Sequence, residues 1–576
     1  MKRQPRGGSS QAPTPPPTSA WPVWPVLLAV LGTVLLAFEI YGPALDGPFV
    51  LDDRYLPFGR PDASRLSLPV WLTGRPLLGL TYYANYLMSG QRPSPYHVTN
   101  LLLHLAVTSI VFLILRRALP AEESKRTTLI AAIGAGVFLI HPLQTEAVAY
   151  IAGRSDVLCT LFAYAALAVF LRYRRPAIGF GAVAAVLALS LAALLAKQQA
   201  VAIPAVLILI DLLWNEGSAD ESLRRNLRLH GLLLAGALAG AVWVFAVLGR
   251  DTTAGLRVPG IGPFEYFLTQ CRAFWHYVFL LLLPVRQNLD TDFAISRSLA
   301  DPWAALGLAG IAVLVGAAIR YRAGWPLASA GVFIFLALLA PTSSFIPIVD
   351  PVAERRVYFA MIGPLLIFVD LLRRWRAPFT TLAVAGAALL AVLSLATYSR
   401  ATLWGDEMAL WRDTVAKSPG KTRPRFQLAH LLYGAQRCAE AAKEYEAASK
   451  IGKPSTALLV DWGLALDCAG RAPEAIERLR QAVAGERTYN SLAQLGMVLA
   501  KQRRFEEALP LLTDAIAAEP GEPSAWGYRG NVYASQDKFA EAAADFQRAL
   551  ALDPSDPAAT RGLQYVRQRL GAPPPR

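Results

Sequence analysis

Acids and bases recur in three stretches of this chain where apolar composition makes them costly. The first is GPFVLDDRYLPF, which sets Asp52 and Asp53 side by side, followed by Arg54, shortly after the first hydrophobic run. The second, HPLQTEAVAYIAGRSD, supplies His141, Glu146, Arg154 and Asp156; the third, PTSSFIPIVDPVAERRVYF, supplies Asp350, Glu354, Arg355 and Arg356. Lys197 interrupts LLAKQQAV between two apolar runs. Such a set suits group transfer. A carboxylate takes the proton of an acceptor hydroxyl while Arg and Lys hold a departing phosphate. Asp52 and Asp53 are the expected catalytic acids. Arg154, Lys197, Arg355 and Arg356 are the expected phosphate ligands, although adjacent Arg355 and Arg356 cannot face the same way on a helix. His141, Glu146, Asp156 and Glu354 are expected to support them. The plainer alternative is ion pairing within a helical bundle, for example of Glu146 or Asp156 with Arg154.

The elements that would position these groups are read from composition. Of 576 residues, 54% are hydrophobic and 17% charged, which points to many membrane spans. Apolar runs fall near 21–41, 97–117, 127–144, 154–173, 177–196, 198–214, 229–249, 303–320, 325–345, 356–372 and 377–398, about eleven spans. The first run is long for a signal peptide and lacks a small-residue cleavage site, so it is read as retained. Residues 1–20, basic and rich in Pro and Ser, read as a disordered cytoplasmic tail. The segment 264–284, aromatic and interrupted by Arg272 and His276, is expected to be interfacial or re-entrant. With that choice the basic loops RRALPAEESKR, RYRRP, SLRRNLRLH, RYRAGW and LLRRWRAP all face the cytoplasm. The acidic loops and the C-terminus then face outward. The net charge of +14 is thereby assigned to loops beside anionic lipid and not to nucleic acid.

Beyond Arg400 the pattern changes. Ala429, Gly463, Gly496 and Gly530 recur at steps of 34, 33 and 34 residues. Small residues follow twelve positions later (Ala441, Ala475, Ala508, Ala542) and seven further on (Ala448, Ala482, Ala515, Ala549). This is the tetratricopeptide-repeat period, in which small residues let paired helices approach. The expected order is a membrane domain over 21–400, a helical connector over 401–421, four repeats over 422–556, and a capping helix with a disordered tail over 557–576. An array of this kind holds a peptide or serves assembly.

Cys438 and Cys468 lie fifteen residues either side of Lys453, on consecutive antiparallel helices. That symmetry predicts a disulfide, with Cα atoms ~4.4–6.8 Å apart, in an oxidising compartment. The four cysteines have no metal-ligand spacing and no glycine-rich phosphate loop is present. No cofactor is called for, and a divalent cation stays open.

FVLDD, YHVTNLLLHL, HPLQTEAVAYIAGRSDVL, LLAKQQAVAIPAVLILIDLLW, PTSSFIPIVDPVAERRVYF and the repeats stand in one order. In that order the chain resembles the transmembrane and tetratricopeptide-repeat-containing O-mannosyltransferases, a family similar to C-type glycosyltransferases. The resemblance implies an all-α fold: a polytopic helical bundle followed by an α-solenoid. It also implies a polyprenyl-phosphate sugar donor and a catalytic acidic pair in the first outward loop, where Asp52 and Asp53 stand. Eukaryotic members act in the endoplasmic reticulum on Ser/Thr of secretory proteins. Four repeats, no retention signal and abundant Ala, Arg and Pro lead us to expect a bacterial homologue in the inner membrane, with periplasmic repeats. The expected activity is transfer of a sugar, mannose by the resemblance, to hydroxyls of exported proteins held by the repeats. A lipid or cell-wall glycan acceptor, and a non-catalytic scaffold for envelope proteins, are the alternatives.

Overall fold

The computed structural model describes residues 23–120, 124–175, 177–213, 219–248, 254–255 and 257–571. The expected tails at 1–20 and beyond residue 571 lie outside them. Among the described residues every regular element is a helix, apart from one isolated bridge between Ala254 and Ile348. They divide into two units, Met1–Lys197 with Leu365–Thr402 and Gln198–Pro364 with Leu403–Arg576.

Among the described residues five helices are long and apolar enough to cross a membrane: Leu27–Leu45, Ser94–Ala118, Ile151–Tyr173, Pro302–Tyr321 and Phe379–Gly405. Lys125–Ile140 and Pro142–Ala149, bent by 48°, make a sixth if taken as one span. Phe180–Ala196, Gln198–Leu213, Leu227–Val242 and Pro326–Leu339 are apolar but shorter. Each of the eleven apolar runs falls on helical segments, several of them shorter than a full span among the described residues. Hydropathy counts apolar residues but does not see where polar segments and prolines interrupt the helix. The run 356–372, for example, divides into Arg356–Ala360 and Ile362–Arg374.

Pro263–Leu282 is one unbroken helix of 20 residues, about 30 Å long at 1.5 Å per residue, in place of a re-entrant hairpin. It is not among the described helices long and apolar enough to cross a membrane. Its exposed large side chains, Phe264, Trp275, Phe279 and Leu282, are the kind an interfacial helix turns to lipid.

The first unit is built around a break. Between Ile140 and Arg154 the chain runs through short helical turns, which frees carbonyls that hydrocarbon cannot solvate. Side chains from four other helices satisfy them. Tyr41 Oη donates to Leu139 O, which His104 Nε2 also meets at 2.9 Å, and Thr397 Oγ1 donates to Ile140 O. Asn100 Nδ2 donates to both Val148 O and Tyr150 O, and Tyr82 Oη to Ile151 O. Gly153 fits because a Cβ there would come within 2.7 Å of Ala147 O.

In the second unit, helix pairs follow the 34-residue period. Thr422–Gly434 pairs with Cys438–Ser449, Thr456–Cys468 with Ala472–Gly485, Tyr489–Lys501 with Phe505–Ala518, and Pro523–Ser535 with Phe539–Leu552. Pro557–Arg569 packs on the last. The small residues stand where helices cross. The eight alanines of the second helices are fully buried, and a Cβ on Gly463 would meet Leu479 at 2.6 Å.

Cys438 and Cys468 form a disulfide, with Cα atoms 5.7 Å apart at a sequence separation of 30. Closing a loop of that size stabilises by roughly 3–4 kcal/mol in the chain-entropy account. Cys468→Ser should therefore lower the melting midpoint of the repeat region by several degrees. Equal midpoints in oxidised wild type and variant would show that the bond contributes nothing.

Candidate active site

The adjacent aspartates sit on a short turn, Leu51–Arg54, and point to different environments. Asp53 is buried. Its Oδ2 accepts from Val50 N at 3.1 Å and its Oδ1 from Ala152 N at 2.8 Å. It thus ties the turn to the broken segment. The Asp52 side chain is exposed, and its carboxylate accepts no hydrogen bond from a described residue. Its backbone is held: the N–H donates to Tyr150 Oη at 3.0 Å, and the carbonyl accepts from Tyr55 N and Leu56 N. The turn is braced elsewhere too. Leu51 has φ of +48°, a region costing about 1–3 kcal/mol for a side chain of its kind. Gly59 lies so close beneath that a Cβ would come within 2.3 Å of Asp53 O. Burial pushes the Asp53 carboxyl up to about 7; the backbone donors at Val50 and Ala152 pull the other way and the charge of Asp52 adds to the rise.

Two of the expected phosphate ligands do other work. The guanidinium of Arg154 is fully buried, donating from Nε to Asn100 Oδ1 at 2.7 Å and from Nη2 to Tyr96 O at 2.9 Å. Its Nη1 reaches Thr81 O at 3.3 Å, and the group lies 4.7 Å from the Tyr82 ring centroid. It binds helices together and is closed to a ligand. Arg356 is buried as well, donating to Pro351 O and Asp350 O at 2.7 and 2.6 Å. Both arginines, expected at the phosphate, spend their forks inside the protein: Arg154 on the Asn100 amide and carbonyls of two neighbouring helices, Arg356 on loop carbonyls.

Lys197 ends the helix Phe180–Ala196 and pairs with buried Asp156 at 2.6 Å. Arg355 is half-buried at the start of Arg356–Ala360. These two remain candidates for phosphate. His141 caps the turn Pro142–Gln144 by accepting from Leu143 N, and Glu146 is buried in the next turn. Glu354 accepts from Asn288 N at 2.5 Å and from Gln287 Nε2 at 3.1 Å. His141, Glu146 and Asp156 belong to the first unit, Glu354 to the second. Among the described residues no three His, Cys, Asp or Glu side chains group as metal ligands.

Sequence reasoning passed over Asn100, His104 and Tyr150. Their signal was present. His97, Asn100 and His104 fall on one face of an apolar helix at spacings of three and four, a polar stripe that must answer polar groups opposite.

A family model described as a tetratricopeptide repeat matches residues 493–557. Protein O-mannosyl-transferase Tmtc1 of Drosophila melanogaster is 35% identical over 264 residues, covering 40% of this chain and 29% of its own. Protein O-mannosyl-transferase F38B6.6 of Caenorhabditis elegans is 27% identical over 66% of this chain and 53% of its own. Human TMTC1, with the same description, is 25% identical over 71% and 54%. The chain is similar to the TMTC protein O-mannosyl-transferases. It spans between 29% and 54% of the length of these three TMTC relatives. Among solved structures, YrrB, described as a TPR protein with an unusual peptide-binding site, is 20% identical with a TM-score of 0.25, over 31% of this chain and 90% of its own.

Proposed function

We propose that the chain is a membrane glycosyltransferase that moves a sugar from a polyprenyl-phosphate donor to Ser/Thr hydroxyls of exported proteins. The observation that carries this reading is an exposed carboxylate, Asp52, on a turn tied to Tyr150 and Ala152 of the broken segment, in a chain whose relatives are named protein O-mannosyl-transferases. Asp52 accepts the hydroxyl proton as the oxygen attacks the sugar carbon; the donor phosphate leaves with the electron pair of the broken C–O bond. Asp53 holds the turn and, when ionised, sets a second negative charge beside the site of proton transfer. Mannose is the sugar that the relatives' names suggest. The repeats present the acceptor on the outer face of a bacterial inner membrane, a placement supported by the Cys438–Cys468 disulfide, which needs an oxidising compartment.

Purified protein given a polyprenyl-phosphate mannose and a Ser/Thr-rich peptide should produce a glycopeptide visible by mass. Its rate should rise as pH passes through about 7, where Asp53 ionises. Thermal stability should move oppositely. A carboxyl whose folded value is raised from 3.8 contributes stability that is whole below 3.8 and is lost as pH rises through about 7. Asp53→Asn should flatten both trends. A flat rate across pH 5–9 in the wild type would remove Asp53 from the mechanism, and absence of any glycopeptide would remove the function.

A further inference from the structure

The second unit contains a polar network whose most buried acid stands outside every stretch singled out in the sequence. Asp290 follows the helix Pro263–Leu282 by a few residues and is 2% exposed at its side chain. It receives Lys421 Nζ at Oδ1 and Arg423 Nε at Oδ2, the latter at 2.6 Å. The same two cations reach Asp350 Oδ1, Arg423 at 2.9 Å and Lys421 at 3.4 Å. Lys421 and Arg423 stand at the start of the first repeat helix, Thr422–Gly434. Two carboxylates from two loops and two cations from the repeat entrance thus close a ring.

The ring has hydrogen bonds on both sides. Ser418 Oγ donates to Asp290 O at 2.7 Å and accepts from Asn288 Nδ2 at 2.7 Å and from Asp292 N at 2.9 Å. Lys417 Nζ donates to Gln287 O at 2.8 Å. Across the same loop, Glu354 receives Asn288 N and Gln287 Nε2, while Arg356 holds the backbone of Asp350 and Pro351. Residues 287–292 therefore join the entrance of the repeats to the segment that carries Glu354 and Arg355. A repeat array needs no such attachment for its own fold, because each repeat is stabilised by its neighbours. A buried carboxylate held by two cations is worth retaining where it sets a register.

We propose that Asp290 and Asp350 are positioning residues: with Lys421 and Arg423 they form an ionic clasp that fixes the first repeat against the loop bearing Glu354 and Arg355, so that an acceptor segment held by the repeats is delivered to that loop. This rests on the glycosyltransferase reading. The clasp adds nothing to chemistry on an acceptor that never touches the repeats. It raises the effective concentration of one that does, and that advantage disappears when the geometry loosens. Arg423 and Asp350 are partly exposed, so salt should weaken their half of the ring.

The test uses the full chain in lipid nanodiscs, with Asp290→Asn and Asp350→Asn singly and together. A long Ser/Thr-rich peptide and a short one serve as acceptors, and amide hydrogen exchange is followed over 286–292 and 346–356. The double variant should exchange at least about tenfold faster in those segments. Its KM for the long peptide should rise about tenfold at unchanged kcat, with the short peptide unaffected. Should the double variant fold poorly, Arg423→Gln is the milder probe, and Arg423→Lys should restore most of what Arg423→Gln loses. Unchanged exchange overturns the clasp, as does equal loss with long and short peptides. If the wild-type chain glycosylates neither peptide, the glycosyltransferase reading and the delivery role fall together; the exchange rates alone then confirm or overturn the clasp.

Discussion

Asp52→Asn membranes are expected to transfer sugar at least about a hundredfold more slowly than wild type at equal protein level, the usual consequence of losing a general base. The substitution keeps side-chain size and leaves the backbone N–H bond to Tyr150 Oη in place. The loss should therefore appear in kcat, with melting midpoint and donor affinity unchanged. Asp53→Asn should behave differently. An amide can accept from only one of Val50 N and Ala152 N with its single oxygen, and its NH2 would oppose the other donor. That leaves one buried N–H unsatisfied, at a cost of about 1–3 kcal/mol, on a turn already strained at Leu51. Stability should fall along with rate. Near-normal transfer by Asp52→Asn would move the base elsewhere, Asp53 included.

Arg154→Ala should have the largest effect on folding of any substitution in the first unit. It strands Asn100 Oδ1 in the interior, removes the second donor to Tyr96 O and Thr81 O, and leaves a side-chain-sized void against the Tyr82 ring. The stranded acceptor, the lost bonds and the cavity together amount to about 3–5 kcal/mol. Little folded protein should be recovered from membranes, and Arg154→Lys should rescue only in part, because an ammonium cannot reproduce the fork. A well-folded Arg154→Ala protein with the wild-type melting midpoint and weakened donor binding would restore Arg154 to the phosphate site.

Much of the architecture could be read before any coordinates. The period through Ala429, Gly463, Gly496 and Gly530 marks the solenoid because helices that cross closely tolerate only small side chains, a local rule written into residue type. The pairing of Cys438 with Cys468 was legible for a similar reason: two antiparallel helices about one turn bring symmetric positions together. The apolar runs announced a membrane protein, since hydrocarbon accepts little else.

What the sequence by itself could not decide was the division of labour among charges. Asp52 and Asp53 are identical residues one peptide bond apart, and only the fold, by burying one against Ala152 N and leaving the other exposed, gives them different roles. The same holds for Arg154 and Arg356. Their type suits phosphate, but the fold turns Arg154 to Asn100, Tyr96 and Thr81, between 54 and 73 residues away in sequence, and Arg356 to the carbonyls of its own loop. The clasp of Asp290, Asp350, Lys421 and Arg423 joins residues up to 133 apart in sequence. No spacing rule reaches that far, because burial and ion pairing are settled by what the tertiary structure brings within a few ångströms.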